Sequence, residues 1–229
     1  MTQMKAKEKH INERKSVKIS ALLDFKHKKV DYYSWLSEFR CAKAEPLQKY
    51  LVEDAIREDV HHKVKTFIIY DEAVHMVVGY FSIRSTCIIR KLIDTIENEK
   101  IVSSIIPCIE LTKFCVNDKY LLFLKENKYK NKGIGEYLFY TFVVPSIVVL
   151  SGMVGFTELI LFALQDENEK VIEAYHHMGF ETIEDDHTKI ISTLEGTSLI
   201  VDEYSCECKF MYQDIEEIIR KYVEGNGYA

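Results

Sequence analysis

Two segments between Pro107 and Phe180 hold the residue types that could do chemistry. The first is Pro107-Cys-Ile-Glu-Leu-Thr-Lys-Phe-Cys-Val-Asn117, which reads as a strand. A basic stretch follows, then Lys130-Asn131-Lys132-Gly133-Ile134-Gly135-Glu136 opens an apolar run. A strand, a glycine turn and a helix N-terminus together present free N–H groups and a positive dipole end to phosphate oxygens. Glycine allows the tight turn and lets backbone approach the ligand. Lys125, Lys128 and Lys132 add positive potential nearby. Taken alone, a Gly-x-Gly before a helix reads equally well as a plain loop. The second segment is Asn168-Glu-Lys-Val-Ile-Glu-Ala-Tyr175-His-His-Met-Gly-Phe180. As one helix it puts Asn168 and Tyr175 two turns apart, about 10.5 Å along one face. A tyrosine with an ordinary pKa near ~10 stays protonated at neutral pH and can donate. Its alternative is an aromatic packed beneath the helix end. Glu110, flanked by Ile109 and Leu111, is the carboxylate inside the first strand: a general base, or a residue on the solvent face of an alternating strand. His176 is a lesser base candidate, since adjacent helical residues point about 100° apart.

Size and composition limit what such segments can belong to. The chain has 229 residues, 47% of them hydrophobic, enough for one sizeable domain with a full core. The longest apolar runs fall short of the ~18 residues that span a bilayer, and the lysine-rich N-terminus has no apolar core of a secretory signal. The expectation is a cytoplasmic protein with no membrane partner. The six cysteines suit reduced thiols that behave as small hydrophobes. Cys206 and Cys208 point to one face of a strand, but no two further ligands have matching spacing, so no metal is expected. The net charge of −6 argues mildly against broad nucleic-acid binding. Residues 1–18 nevertheless hold six Lys or Arg against two Glu. They read as a solvated tail or as an arm that touches RNA or another polyanion.

The elements that must position these residues follow from periodicity. Residues 31–39 and 46–60 read as helices, the second with a Leu47, Leu51, Ala55, Ile56 stripe and Pro46 in its first turn. Residues 66–70 and 77–83 read as strands joined through a turn at Asp71-Glu-Ala. A loop or short helix is expected through the 90s, then a strand over 105–116. A helix over 133–144 should be stopped or kinked by Pro145. Residues 159–164 read as a buried strand, and 168–178 as a helix ended by Gly179 in the left-handed region. Strands at 190–200 and 206–212 and a helix over 213–223 complete the chain. This order predicts an α+β fold with a mixed, mostly antiparallel sheet. It divides as a basic tail (1–19), one domain (20–212) and a C-terminal helix packed on it (213–229).

On the strand, the Lys130-x-x-Gly133-x-Gly135 turn and the Asn168…Tyr175…Gly179-Phe180 helix, the chain resembles the GNAT superfamily of acetyl-CoA-dependent N-acetyltransferases. Its first turn position is Lys130 where the family has Gln or Arg. The resemblance covers roughly residues 20–212 and implies a sheet whose central strands splay apart. It implies that the backbone of Phe114, Cys115 and Val116 pairs with the pantetheine arm of acetyl-CoA. Residues 130–136 would then cradle the pyrophosphate, with Asn168 on the coenzyme side. Tyr175 would be the acid for the departing thiolate and Glu110 the base for the amine. The stretch 117–129 is longer than the usual connection, and as an extended loop would cover the coenzyme or the substrate entrance. Phe39-Arg-Cys41-Ala-Lys-Ala-Glu45-Pro-Leu47, then Thr66-Phe67-Ile-Ile-Tyr70 and Val77-Val-Gly79-Tyr80-Phe81, resemble the toxin-type branch, which implies aminoacyl-tRNA as the amine acceptor. The chain is more acidic and longer than that pattern. A small molecule, antibiotic or protein amine is the alternative acceptor, and an acetyl-CoA-binding regulator without turnover the alternative outside catalysis. A homodimer through the C-terminal strands is a further expectation from the family.

Overall fold

The sheet begins inside the stretch expected to be a tail. Val17-Lys-Ile-Ser-Ala21 forms β1 (Val17–Ala21), which pairs antiparallel with β2 (Lys65–Asp71) from Val17↔Asp71 to Ala21↔Phe67. The computed structural model describes residues 10–11, 14–29, 31–94, 100–129, 132–164, 169–182 and 208–224. The strand expected at 190–200, Cys206, Lys130, Asn131 and Asn168 lie outside them. The remaining strands are β3 (Met76–Asp94), β4 (Lys100–Val116), β5 (Glu158–Leu164), β6 (Glu181–Thr182) and β7 (Cys208–Asp214), in the sheet order β1-β2-β3-β4-β5-β7-β6. The parallel pair is β4 and β5. Its register runs from Cys108↔Glu158 to Glu110↔Ile160 and stops there, while β5 continues to Leu164 along β7. The β4–β5 pairing therefore spans three residue pairs of a mixed sheet.

Two compact units make up the chain. One comprises Met1–Ser82 and Lys113–Leu138, the other Ile83–Thr112 and Phe139–Ala229. In the first, α1 (Leu22–Lys28) and α2 (Tyr32–Ser37) precede α3 (Glu45–Lys49) and α4 (Ala55–Val60), the last two joined by a π-helical turn at Tyr50–Asp54. Leu22, Phe25, Leu36, Phe39, Leu51, Ile68, Tyr80 and Cys115 share its core. Gly79 lets β3 and β4 come close. A Cβ there would lie 2.6 Å from the Cys115 carbonyl oxygen and 3.2 Å from Leu138 Cδ1. A backbone oxygen cannot rotate away, so Gly79→Ala is expected to destabilise the protein by about 2–3 kcal/mol, read as a lower urea midpoint.

The residues just before β1 are tied down as firmly. Arg14 Nε donates to Asp71 Oδ2 at 2.6 Å, and its guanidinium lies 5.1 Å and 5.4 Å from the ring centroids of Phe123 and Tyr129. Tyr120 donates to the same Asp71 oxygen at 2.8 Å, and Lys18 pairs with Glu72. Burial pushes the Asp71 carboxyl up, but hydrogen bonds from Arg14, Ser16 and Tyr120 outweigh it and hold it below its ordinary value. A depressed carboxyl stabilises the fold above its unfolded pKa of ~3.9 and loses that contribution as pH falls through the folded value. The denaturation midpoint should therefore drop more steeply below about pH 4 in the native chain than in Asp71→Asn.

Three expected elements differ. The hairpin of β3 and β4 is longer at both strands than expected, so Ile88, Cys108 and Ile160 pack with Ile106, Phe210 and Tyr212 in the second unit. The stretch 117–129 is not an extended loop but carries α5 (Asp118–Glu126). Asn117 caps that helix, accepting from Lys119 N at 3.0 Å, and Tyr120 and Leu124, four apart, are its buried face. Pro145 does not stop the helix after Gly133. The chain runs through α6 (Ile134–Leu138), a π-helical turn at Phe139–Val143 and α7 (Val144–Ser151), with Pro145 in the first turn of α7, where a missing N–H costs little. By length and composition this 18-residue helix, Ile134–Ser151, is apolar enough to cross a membrane, as core helices also are; it is longer than the apolar runs of the sequence suggested. The second unit ends with α8 (Lys170–His177) and α9 (Ile215–Glu224), the latter capped by Asp214 Oδ1, which accepts from the Glu216 and Glu217 N–H groups.

Candidate functional site

The expected coenzyme residues 114–116 and 132–136 lie in the first unit. Phe114, Cys115 and Val116 end β4; Cys115 is buried, the other two are half-buried. Asn117 fixes the point where the strand stops. Its N–H donates to Val78 O at 2.8 Å, its side-chain amide donates to Val77 O at 2.6 Å, and its carbonyl accepts from Arg40 N at 3.1 Å. Sequence reasoning used Asn117 only as a boundary; a buried asparagine directly before a helix was the available signal.

Gly133 precedes α6 with φ 78°, in the left-handed region, and among the described residues nothing lies within 4 Å of a Cβ built on it. Space is therefore open where the turn faces outward, and the glycine serves the backbone conformation. Ile134 is buried beneath the turn, Gly135 is half-buried, and Lys132 and Glu136 are exposed, as are Lys125 and Lys128. Tyr137 N donates to Gly133 O at 2.9 Å, the first helical bond of α6. Helix N-termini of this kind leave N–H groups available to an anion.

The expected chemical residues lie in the second unit. Tyr175 is half-buried on α8, its ring edge-on to Phe180 with centroids 5.7 Å apart and planes at 78°. Gly179, at φ 93°, turns the chain so that Phe180 N donates back to Tyr175 O at 3.0 Å. His176 is fixed elsewhere, its Nδ1 2.9 Å from Phe180 O. The helix starts at Lys170, two residues later than the 168–178 expected, and its N-cap Glu169 has φ 52°; Asn168 lies outside the described residues.

Glu110 is not on a solvent face. It is 2% exposed, and Arg84 Nε donates to its Oε2 at 2.8 Å. Arg84 was missed by sequence reasoning, because it falls one residue beyond the strand expected at 77–83. An arginine in this position orients the carboxylate as well as neutralising it. Among the described residues no group of acidic, His or Cys side chains is arranged to hold a metal ion.

No protein-family model matches the chain, and no curated protein matches its sequence. Its fold does match solved structures. A tyrosine-to-phenylalanine mutant of the AtaT toxin superposes with a TM-score of 0.63 over 96% of this chain and 99% of that one, at 16% identity. AtaTR bound with AcCoA gives 0.62 over 90% and 98%, at 17% identity. AtaT complexed with acetyl-methionyl-tRNAfMet gives 0.58 over 90% and 99%, at 19% identity. The chain has the AtaT fold.

Proposed function

We propose that the chain is an acetyl-CoA-dependent N-acetyltransferase of the cytoplasm whose acceptor is the amino group of an aminoacyl-tRNA. The observation that carries this reading is the turn at Gly133. It has the left-handed backbone and the open outward space that a pyrophosphate-binding turn needs, and it leads into a helix N-terminus. The AtaT likeness adds to it, since that toxin is described with acetyl-CoA and with an acetylated aminoacyl-tRNA.

In this reading the backbone of Phe114–Val116 takes the pantetheine arm as an added strand. Residues 130–136 hold the pyrophosphate, the exposed lysines 125, 128 and 132 lie near the 3′-phosphate, and Asn168 contributes on the coenzyme side. The neutral amine attacks the thioester carbonyl. Backbone N–H groups of β4 stabilise the oxyanion. Glu110, oriented by Arg84, takes the amine's proton directly or through water, and Tyr175 protonates the departing thiolate. The N–C bond forms as the C–S bond breaks, with no covalent enzyme intermediate.

One observation favours a second acceptor. Within the first unit a cavity of about 470 Å³ is lined by Asp31, Ser34, Trp35, Glu38 and His75; Glu38 pairs with Lys119 at 3.2 Å and Lys29 lies 5.5 Å from the Trp35 ring, which leaves Asp31 as the carboxylate for a small cationic amine. A cell-free translation system separates the two. The proposal expects synthesis to stop when protein and acetyl-CoA are both added and to proceed when either is left out. Unaffected translation at high protein concentration would reject the tRNA acceptor.

A further inference from the structure

Cys41 and Cys115 were expected to be isolated, ordinary thiols. In the fold their sulfurs lie 2.8 Å apart, with the Cys115 thiol donating to Cys41, although 74 residues separate them in sequence. We infer that Cys41 and Cys115 form a peroxide-oxidisable dithiol that closes to a reversible disulfide, a redox modification site at the end of the strand whose backbone is assigned to the pantetheine arm.

A disulfide requires an S–S distance of about 2.05 Å, so the sulfurs need approach by only ~0.8 Å. The backbone around them is already clamped. Arg40 N donates to Asn117 Oδ1 at 3.1 Å, Asp118 N donates to Arg40 O at 2.8 Å, and Ala42 N donates to Asp118 Oδ2 at 2.7 Å. Cys41 N is itself held by Gln48 Oε1 at 3.1 Å. Both residues flanking Cys41 are therefore tied to the cap and first residue of α5, two and three positions beyond Cys115. Such a fixed pair has a high effective concentration of one thiol at the other.

The two sulfurs have different roles. The hydrogen bond from Cys115 lowers the Cys41 thiol, while that bond and burial push Cys115 up. Cys41, 9% exposed against 5% for Cys115, is the more accessible of the two and is the thiol assigned to attack the oxidant. Its sulfur attacks hydrogen peroxide: an S–O bond forms, the O–O bond breaks, and hydroxide leaves to be protonated. The Cys115 sulfur then attacks the Cys41 sulfenic acid as its proton departs. The S–S bond forms, the S–O bond breaks and water leaves. Two thiols give up two electrons, and one peroxide becomes two waters.

The test treats the full chain with hydrogen peroxide, then blocks remaining thiols and maps peptides. The expected result is a mass lower by about 2 Da, a Cys41–Cys115 linked peptide, and full reversal by dithiothreitol. In Cys115→Ser the Cys41 sulfenic acid should persist and be trapped by dimedone; in Cys41→Ser, Cys115 should stay reduced. The inference is overturned if the native chain keeps both thiols at a peroxide dose that oxidises the half-buried Cys87 and Cys208, or if linkage maps to another pair. Because the readout is on the native chain and needs no substrate, it stands or falls apart from the acetyltransferase reading.

Discussion

Tyr175→Phe is expected to lower kcat for acetyl transfer by about 100-fold or more while acetyl-CoA affinity stays within about twofold of native. The substitution removes one oxygen. The ring that packs edge-on against Phe180 remains, and so does the backbone bond from Phe180 N to Tyr175 O that closes the helix end. These two contacts survive the substitution. What is lost, on the proposed mechanism, is the hydroxyl assigned to protonate the coenzyme thiolate as the C–S bond breaks. A packing role predicts the opposite pattern, with unchanged kcat and at most a small change in melting temperature. Stopped-flow thiol release under single-turnover conditions reads the chemical step itself and so separates the two.

The second large effect is expected at Gly133. Its φ of 78° is a region where a non-glycine residue costs about 1–2 kcal/mol, so Gly133→Ala should weaken acetyl-CoA binding by roughly tenfold if all of that cost falls on the bound turn. Because nothing among the described residues lies within 4 Å of a Cβ there, no steric clash with them adds to it. Gly133→Glu carries the same backbone cost and also places a carboxylate in the open space assigned to the pyrophosphate. Binding should fall by about 1,000-fold or more, beyond the reach of calorimetry. Equal losses in the two variants would mean that only backbone strain is felt at this turn and that no anion approaches it.

Much of this site could be read before any coordinates, because it depends on local signals. Gly179 occupies the left-handed helix end expected of it and Gly133 the tight turn, and the β-branched and aromatic run 66–70 and the continuous apolar run 159–164 both form strands. What escaped was set by distant partners. Glu110 has the same neighbours in sequence whether it faces water or Arg84, and only the pairing of β3 with β4 decides. Residues 14–18 look like a solvated basic tail until Asp71 and Glu72, over fifty residues away, supply carboxylates for Arg14 and Lys18. Cys41 and Cys115 looked isolated for the same reason. Local signals were also misjudged: the Asn117 cap and the Tyr120–Leu124 spacing of α5 were present in a stretch expected as loop, and Pro145 was given too much weight because a π-helical turn can precede it.

The most direct test of the central claim is thiol release from acetyl-CoA with a mixture of aminoacylated tRNAs as acceptor, compared with the same RNA after alkaline deacylation. The account predicts one thiol per amino group blocked, with charged RNA alone. No release above the spontaneous rate with charged RNA, or with polyamines, aminoglycosides and lysine peptides run beside it, would contradict the acetyltransferase reading and leave the AtaT fold without its chemistry.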